Sequence, residues 1–199
     1  MAPYIDKMYT KLYELFGRFI PLDENDKQIL QERFEPQSVK KKHQLLEYGK
    51  VANHFYFINE GLIRLYGHKE GEEKTLFFFT EGMIAGSIES YLTQAPSELI
   101  LEALEDTHLL VISGEGLQEL YDISTKFSKA GLLLTQHRLA ALMKFFTSFV
   151  FGSPEARYQD FQNSHPDLIQ RVPQHIIASF LGITPVSLSR IRKRISNQK

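Results

Sequence analysis

The sequence predicts an α+β chain: an N-terminal β-roll of jelly-roll type, then one long helix, then a small all-α C-terminal domain. Three observations predict it. Apolar residues recur at helical spacing near both ends of the chain. Between about Pro36 and Ser113 the pattern changes to short β-rich runs punctuated by glycine. Near the C-terminus, Ala178, Gly182 and several apolar residues fall where two short helices joined by a tight turn need them. The expected boundaries are 1–123 for the β-roll domain, 124–152 for the long helix and 153–199 for the C-terminal domain.

The N-terminal segment reads as helical because Tyr9, Leu12, Leu15, Phe16 and Phe19 share one face. Pro21 ends it, and Asp23 can cap a second helix running to Phe34. The strands follow at Gln37–Lys41, Gln44–Leu46, His54–Asn59, Gly61–His68, Glu73–Thr80, Ile84–Ala85, Ile100–Ala103 and Leu109–Ile112. Gly49, Gly61, Gly71, Gly82 and Gly86 separate them, as in a closed or two-layered antiparallel structure. A short helix is expected at Gly116–Tyr121, then one long helix from Ser124 to about Phe151. In that helix Leu132, Leu139, Leu142, Phe146 and Phe149 form a narrow seam suited to a helix partner. Leu133, Leu134, Phe145 and Val150 give it a second apolar side to bury. Ser153 and Pro154 supply a cap and first position for a helix at Glu155–Asn163. Two final helices are expected at Pro173–Leu181 and Pro185–Ser196.

Composition narrows the function. Apolar residues are 43% and charged residues 24% of the 199, which excludes a disordered chain. The net charge is −1, but no acid follows Asp167, so the tail carries +6 and the remainder −7. A basic module on an acidic body suits a polyanion partner. The absence of cysteine removes disulfides, thiol catalysis and thiolate metal sites. No apolar run is long enough to span a membrane, and the N-terminus is amphipathic and carries acids, unlike a signal peptide. A cytoplasmic protein is expected.

The segment Gln174–Lys193 reads as a helix-turn-helix. Ala178 is small where two helices cross, and Gly182 supplies the left-handed turn. Ile177, Leu181, Ile183, Leu188 and Ile191 face inward. Thr184 can cap the second helix, with Pro185 at its first position. The outward face is then Pro185, Val186, Ser189, Arg190 and Lys193. Such a face enters the major groove of double-stranded DNA. Arg190 can fork onto guanine and Val186 can touch a thymine methyl. Thr184, Ser187, Arg192, Lys193 and Arg194 can bond phosphates.

A β-rich domain, a long helix and a C-terminal helix-turn-helix, in that order, resemble the Crp/Fnr family of bacterial transcription regulators. The stretch Leu45–Tyr66 looks like that family's cyclic-nucleotide-binding β-roll. The resemblance implies a homodimer paired through the long helix and binding two inverted DNA half-sites. RNA polymerase and a small-molecule effector are further partners in keeping with it. The effector cassette departs from the family's cyclic-AMP-binding members. Gly86 is kept, but Ser87 stands where their glutamate falls, and Ser97 and Glu98 fall around their arginine–serine pair. No Arg or Lys lies between Lys74 and Lys126. Cyclic AMP is therefore not carried over, while Gly86, Ser87, Ser97 and Glu98 remain the expected pocket residues. At the recognition helix, Pro185 and Val186 replace the arginine–glutamate pair of the family's best-known member, so a different operator is expected. The usual β-hairpin wing has only Ser164–Val172 to occupy and looks missing.

No enzyme signature competes with this reading. A β-roll resembles cupin enzymes in outline, but His43, His54, His68 and His108 never form the pair of histidines two apart that a cupin metal site needs. Phosphate-binding loops, nucleophile elbows and zinc-protease motifs are absent. No cofactor is expected. The alternative from another class is a non-catalytic protein-interaction module on a β-roll scaffold.

Overall fold

The computed structural model describes residues 2–197. Helix α1 (Ala2–Gly17) and helix α2 (Glu24–Arg33) open the chain. Helix α2 starts in a reciprocal capping box. The Asp23 carboxylate accepts from the Asp26 amide at 2.9 Å, and the Asp26 carboxylate accepts from the Asp23 amide at 3.0 Å. The Asp26 amide, and after it Lys126, hold the Asp23 carboxyl below the usual carboxylate range.

Eight strands follow: β1 (Glu35–Val39), β2 (Gln44–Leu46), β3 (His54–Glu60), β4 (Ile63–Lys69), β5 (Glu72–Phe79), β6 (Ile84–Ala85), β7 (Ile100–Ala103) and β8 (Thr107–Ser113). They form two four-stranded sheets, ordered β1-β8-β3-β6 and β2-β7-β4-β5. This is the β-roll the glycine spacing predicts. In the first sheet Phe55 pairs with Ile112 and Phe57 with Leu110. Strand alternation puts these four side chains on one face. There they join Leu12, Phe16 and Leu30 of the N-terminal helices, Phe34 just after them, and Leu120 and Phe127 beyond the sheet, in one core.

Helix α3 (Ile88–Thr93) interrupts the strands, and helix α4 (Gly114–Ile123) follows them, capped by the Ser113 hydroxyl. Helix α5 runs unbroken over the 27 residues Thr125–Phe151. Helix α6 (Pro154–Ser164) is capped by Ser153, whose Oγ accepts from the Ala156 amide at 3.2 Å. A short helix α7 (Leu168–Arg171) precedes α8 (Gln174–Phe180) and α9 (Pro185–Ser196). Among the described residues no strand lies between α5 and α8, and α7 stands where a wing would be. Helices α3 and α7, of six and four residues, have no counterpart in the sequence reading. Both are too short to show a helical period.

The chain forms two compact units. One is Met1–Leu65 with Phe78–His137, and the other is Tyr66–Phe77 with Arg138–Lys199. The second unit thus holds the later part of α5, helices α6 to α9 and the tip of the β4–β5 hairpin. That tip turns at Glu70 and Gly71, both left-handed with φ of 55° and 81°, the pair a two-residue hairpin turn requires. β5 is an edge strand. On one edge of it, two residues apart, Ser179 of α8 makes two bonds: its Oγ donates to the Glu73 carbonyl at 2.8 Å and accepts from the Thr75 amide at 2.9 Å. One hydroxyl takes the place of a neighbouring strand there.

Candidate nucleic-acid interface and β-roll pocket

The C-terminal helices assemble as their residue types require. Ala178 is fully buried, and Ile177, Leu181, Leu188 and Ile191 are buried with it, while Ile183 is half-buried. Gly182 has φ of +66°, and a Cβ there would come within 2.8 Å of the Phe149 ring. Both the left-handed turn and the close approach of α5 therefore demand glycine. Thr184 caps α9, its Oγ1 accepting from the Ser187 amide at 3.1 Å and lying 3.0 Å from the Ser187 hydroxyl.

Helix α9 leaves Pro185, Val186, Ser189, Arg190 and Lys193 exposed. Val186, Arg190 and Lys193 stand at i, i+4 and i+7, so they share one face. Val186 is 61% exposed. Arg190, Lys193, Arg194 and Asn197 line an open depression of about 400 Å³. The structure divides the basic residues. Arg194 already holds Glu155 at 2.7 Å. Arg192 is half-buried and lies off the shared face, and Ser187 is half-buried.

One well-bonded side chain, Arg157, escaped the sequence reading. Arg157 of α6 donates from Nε to the Leu181 carbonyl at 3.1 Å, and from Nη1 to the carbonyls of Gly152 at 3.0 Å and Phe149 at 3.3 Å. Its guanidinium carbon sits 4.9 Å from the centre of the Phe149 ring. Nothing local in the sequence marks it, because its acceptors are backbone atoms on either side of it in the chain. Phe145 stacks on Phe180 at 5.0 Å, so this part of the second apolar side of α5 is half-buried against α8.

In the β-roll, Ser87 and Ser97 are both buried and face each other, their hydroxyls 3.5 Å apart. Ser97 Oγ also donates to the Leu99 carbonyl at 2.9 Å and accepts from the Leu99 amide at 3.1 Å. Its backbone is held by Gly49 and Lys50. Gly86 is half-buried against Phe55, whose ring would lie 2.6 Å from a Cβ. Glu98 is exposed, apart from this buried pair. The buried arginine of the β-roll, Arg64, forks onto one oxygen of Glu102 through Nη2 at 2.8 Å and Nε at 3.0 Å. A depression of about 320 Å³ in this part of the molecule is lined by Gln44, Glu47, Lys50, His54 and Tyr56 among others, and the Lys50 carbonyl is the one that accepts from the Ser97 amide. Among the described residues no cluster of three or more His, Asp or Glu side chains could hold a metal, and no helix is long and apolar enough to cross a membrane.

Residues 36–124 match the family model of the cyclic nucleotide-binding domain. No curated protein matches the chain in sequence. Solved structures do match it in fold. FixK2 from Bradyrhizobium japonicum is 16% identical, with 83% of this chain and 85% of that one covered and a TM-score of 0.72. A doubly substituted CooA from Carboxydothermus hydrogenoformans is 20% identical, with 88% and 82% covered and a TM-score of 0.69. A protein from Eubacterium rectale described as a transcriptional regulator of the Crp/Fnr family is 19% identical, with 89% and 85% covered and a TM-score of 0.67. Residues 36–124 thus resemble a cyclic nucleotide-binding domain, and the chain as a whole shares the fold of these solved structures.

Proposed function

We propose that this chain is a DNA-binding transcription regulator of the Crp/Fnr type, working in the cytoplasm as a homodimer on inverted half-sites and catalysing nothing. The observation that carries the reading is the exposed face of α9. A capped helix presents an apolar contact at Val186, a small polar one at Ser189, and two cations at Arg190 and Lys193, with no acid on that face. In the groove, Arg190 forks onto guanine and Val186 meets a thymine methyl. Pro185 and Ser189 lie against the groove at the start and middle of the helix. Thr184, Ser187, Arg192 and Lys193 bond phosphates, and Arg194 does so on leaving Glu155. Residues 1–123 serve as the sensor, 124–152 as the pairing helix and 153–199 as the DNA-binding domain. Gly86, Ser87, Ser97 and Glu98 mark the effector pocket by position, and cyclic AMP is not its ligand.

Selection from random duplex DNA with the purified protein tests this. The expected product is an inverted repeat whose binding weakens steeply with salt. Arg190→Ala should cost about 1–3 kcal/mol per half-site and flatten the preference at one base position. If selection enriches no sequence, the reading is wrong. If Arg190→Ala weakens every single-base variant equally, Arg190 holds phosphate instead of reading a base.

A further inference from the structure

We infer that Arg157 is the positioning residue that fixes the recognition helix on the long helix, and so sets the spacing between the two DNA half-sites. The inference rests on the regulator reading above. The later part of α5, Arg157 and the helix-turn-helix all belong to one compact unit, so their mutual geometry is a property of that unit.

Three segments must be held together for a recognition helix to keep its place. They are the end of α5, the link to α6, and the turn between α8 and α9. Arg157 bonds a backbone carbonyl in each: Phe149 in the last turn of α5, Gly152 in the link, and Leu181 at the end of α8. Carbonyls at helix ends have no partner within the helix, and both ends carry the negative pole of the helix dipole. A guanidinium is suited to this place, because its donors radiate in a rigid plane and its charge is permanent. Lysine offers donors from a single point and cannot bridge three separated acceptors.

A second contact supports the first. The Phe149 ring lies beneath the Arg157 guanidinium and against Gly182, close enough that a Cβ there would clash. The turn of the helix-turn-helix is thus seated on α5 from one side by an aromatic ring and tied from the other by a cation. Leu139, Leu142 and Phe146, exposed on the same stretch of α5, form the seam through which a second copy pairs. The path from seam to recognition helix therefore runs through α5 and the Arg157 bridge. Two copies related by a two-fold axis place their recognition helices at a separation this path determines.

The test uses the full-length protein, the selected operator, and operators whose spacer is lengthened by about half a helical turn. The unsubstituted protein should lose roughly 100-fold or more in affinity on the altered spacer, because the second half-site can no longer be reached. Arg157→Gln should keep the same base ranking on a single half-site, yet lose most of that spacer discrimination. Arg157→Lys should behave in the same way and, by retaining the charge, guards against loss of folding in the first variant. If both variants fold and discriminate spacers as the unsubstituted protein does, Arg157 does not position the helix. A loss of base ranking together with spacing would instead make it part of the DNA-reading surface and overturn the inference. If the unsubstituted protein selects no DNA, the regulator reading falls, and the spacing role falls with it.

Discussion

At the scale of single residues, the buried Ser87–Ser97 pair is the most informative feature of the β-roll. The Ser87 and Ser97 hydroxyls face each other inside the β-roll, and Ser97 is satisfied further by both backbone groups of Leu99. A cyclic phosphate placed there would give up its hydration and could not call on Arg64, which is committed to Glu102. Pulling Arg64 away would leave a buried carboxylate unpaired, which is strongly unfavourable. Cyclic AMP should therefore give no binding heat in titration calorimetry up to about 1 mM, the range in which an affinity of only ~4 kcal/mol would begin to register. Micromolar binding would show that a cation reaches the cassette by a route these side chains do not supply. The missing arginine was legible in the sequence, because absence from a stretch of chain needs no fold to detect. The closing of the two serines on each other was not, since ten residues and a helix separate them.

At the scale of elements, the strands and helices match the sequence pattern because alternation, glycine turns and caps are local properties. Asp23, Ser153 and Thr184 each accept the amide bond that their position ahead of a helix predicts. The β4–β5 hairpin shows where this ends. Its strands were legible, but its attachment to α8 through Ser179 joins residues about a hundred positions apart. Ser179→Ala removes that attachment and leaves the Glu73 carbonyl and the Thr75 amide without this partner. Hydrogen exchange at the Thr75 amide should then speed up by about fivefold, the equivalent of one ordinary hydrogen bond of ~1 kcal/mol. Unchanged exchange would mean that the edge of β5 is protected by something other than Ser179.

At the scale of the whole molecule, the long helix carries the apolar row on which the proposed pairing rests. Leu132, Leu139 and Phe146 are each close to 60% exposed, and Leu142 is 41% exposed. Such a row is the surface that the proposed pairing would cover. The same seam was expected from the heptad-like spacing, although Phe149 at its end also serves the turn of the helix-turn-helix within its own chain. The unsubstituted protein should sediment as a dimer at micromolar concentration. Replacing Leu142 and Phe146 with Glu should give a folded monomer, because pairing would bury unpaired carboxylates. That monomer should bind the two-site operator roughly 100-fold more weakly, through loss of the second half-site. A monomer of the unsubstituted protein under these conditions would refute the pairing.

The sequence by itself determined the order of elements, the β-roll, the long helix, the helix-turn-helix and its outward face. Each of these is encoded by residues a few positions apart, within reach of one period or one cap. Tertiary structure alone decided how the polar groups are used. It turned Ser87 and Ser97 toward each other, gave Arg64 to Glu102 and Arg194 to Glu155, and set Ser179 on the edge of β5. It also gathered three carbonyls around Arg157. The reason is that a hydrogen bond depends on distances of a few tenths of an ångström between atoms, and most of these pairs lie far apart along the chain. No periodicity in the chain specifies such distances, and only the packed core brings the partners together.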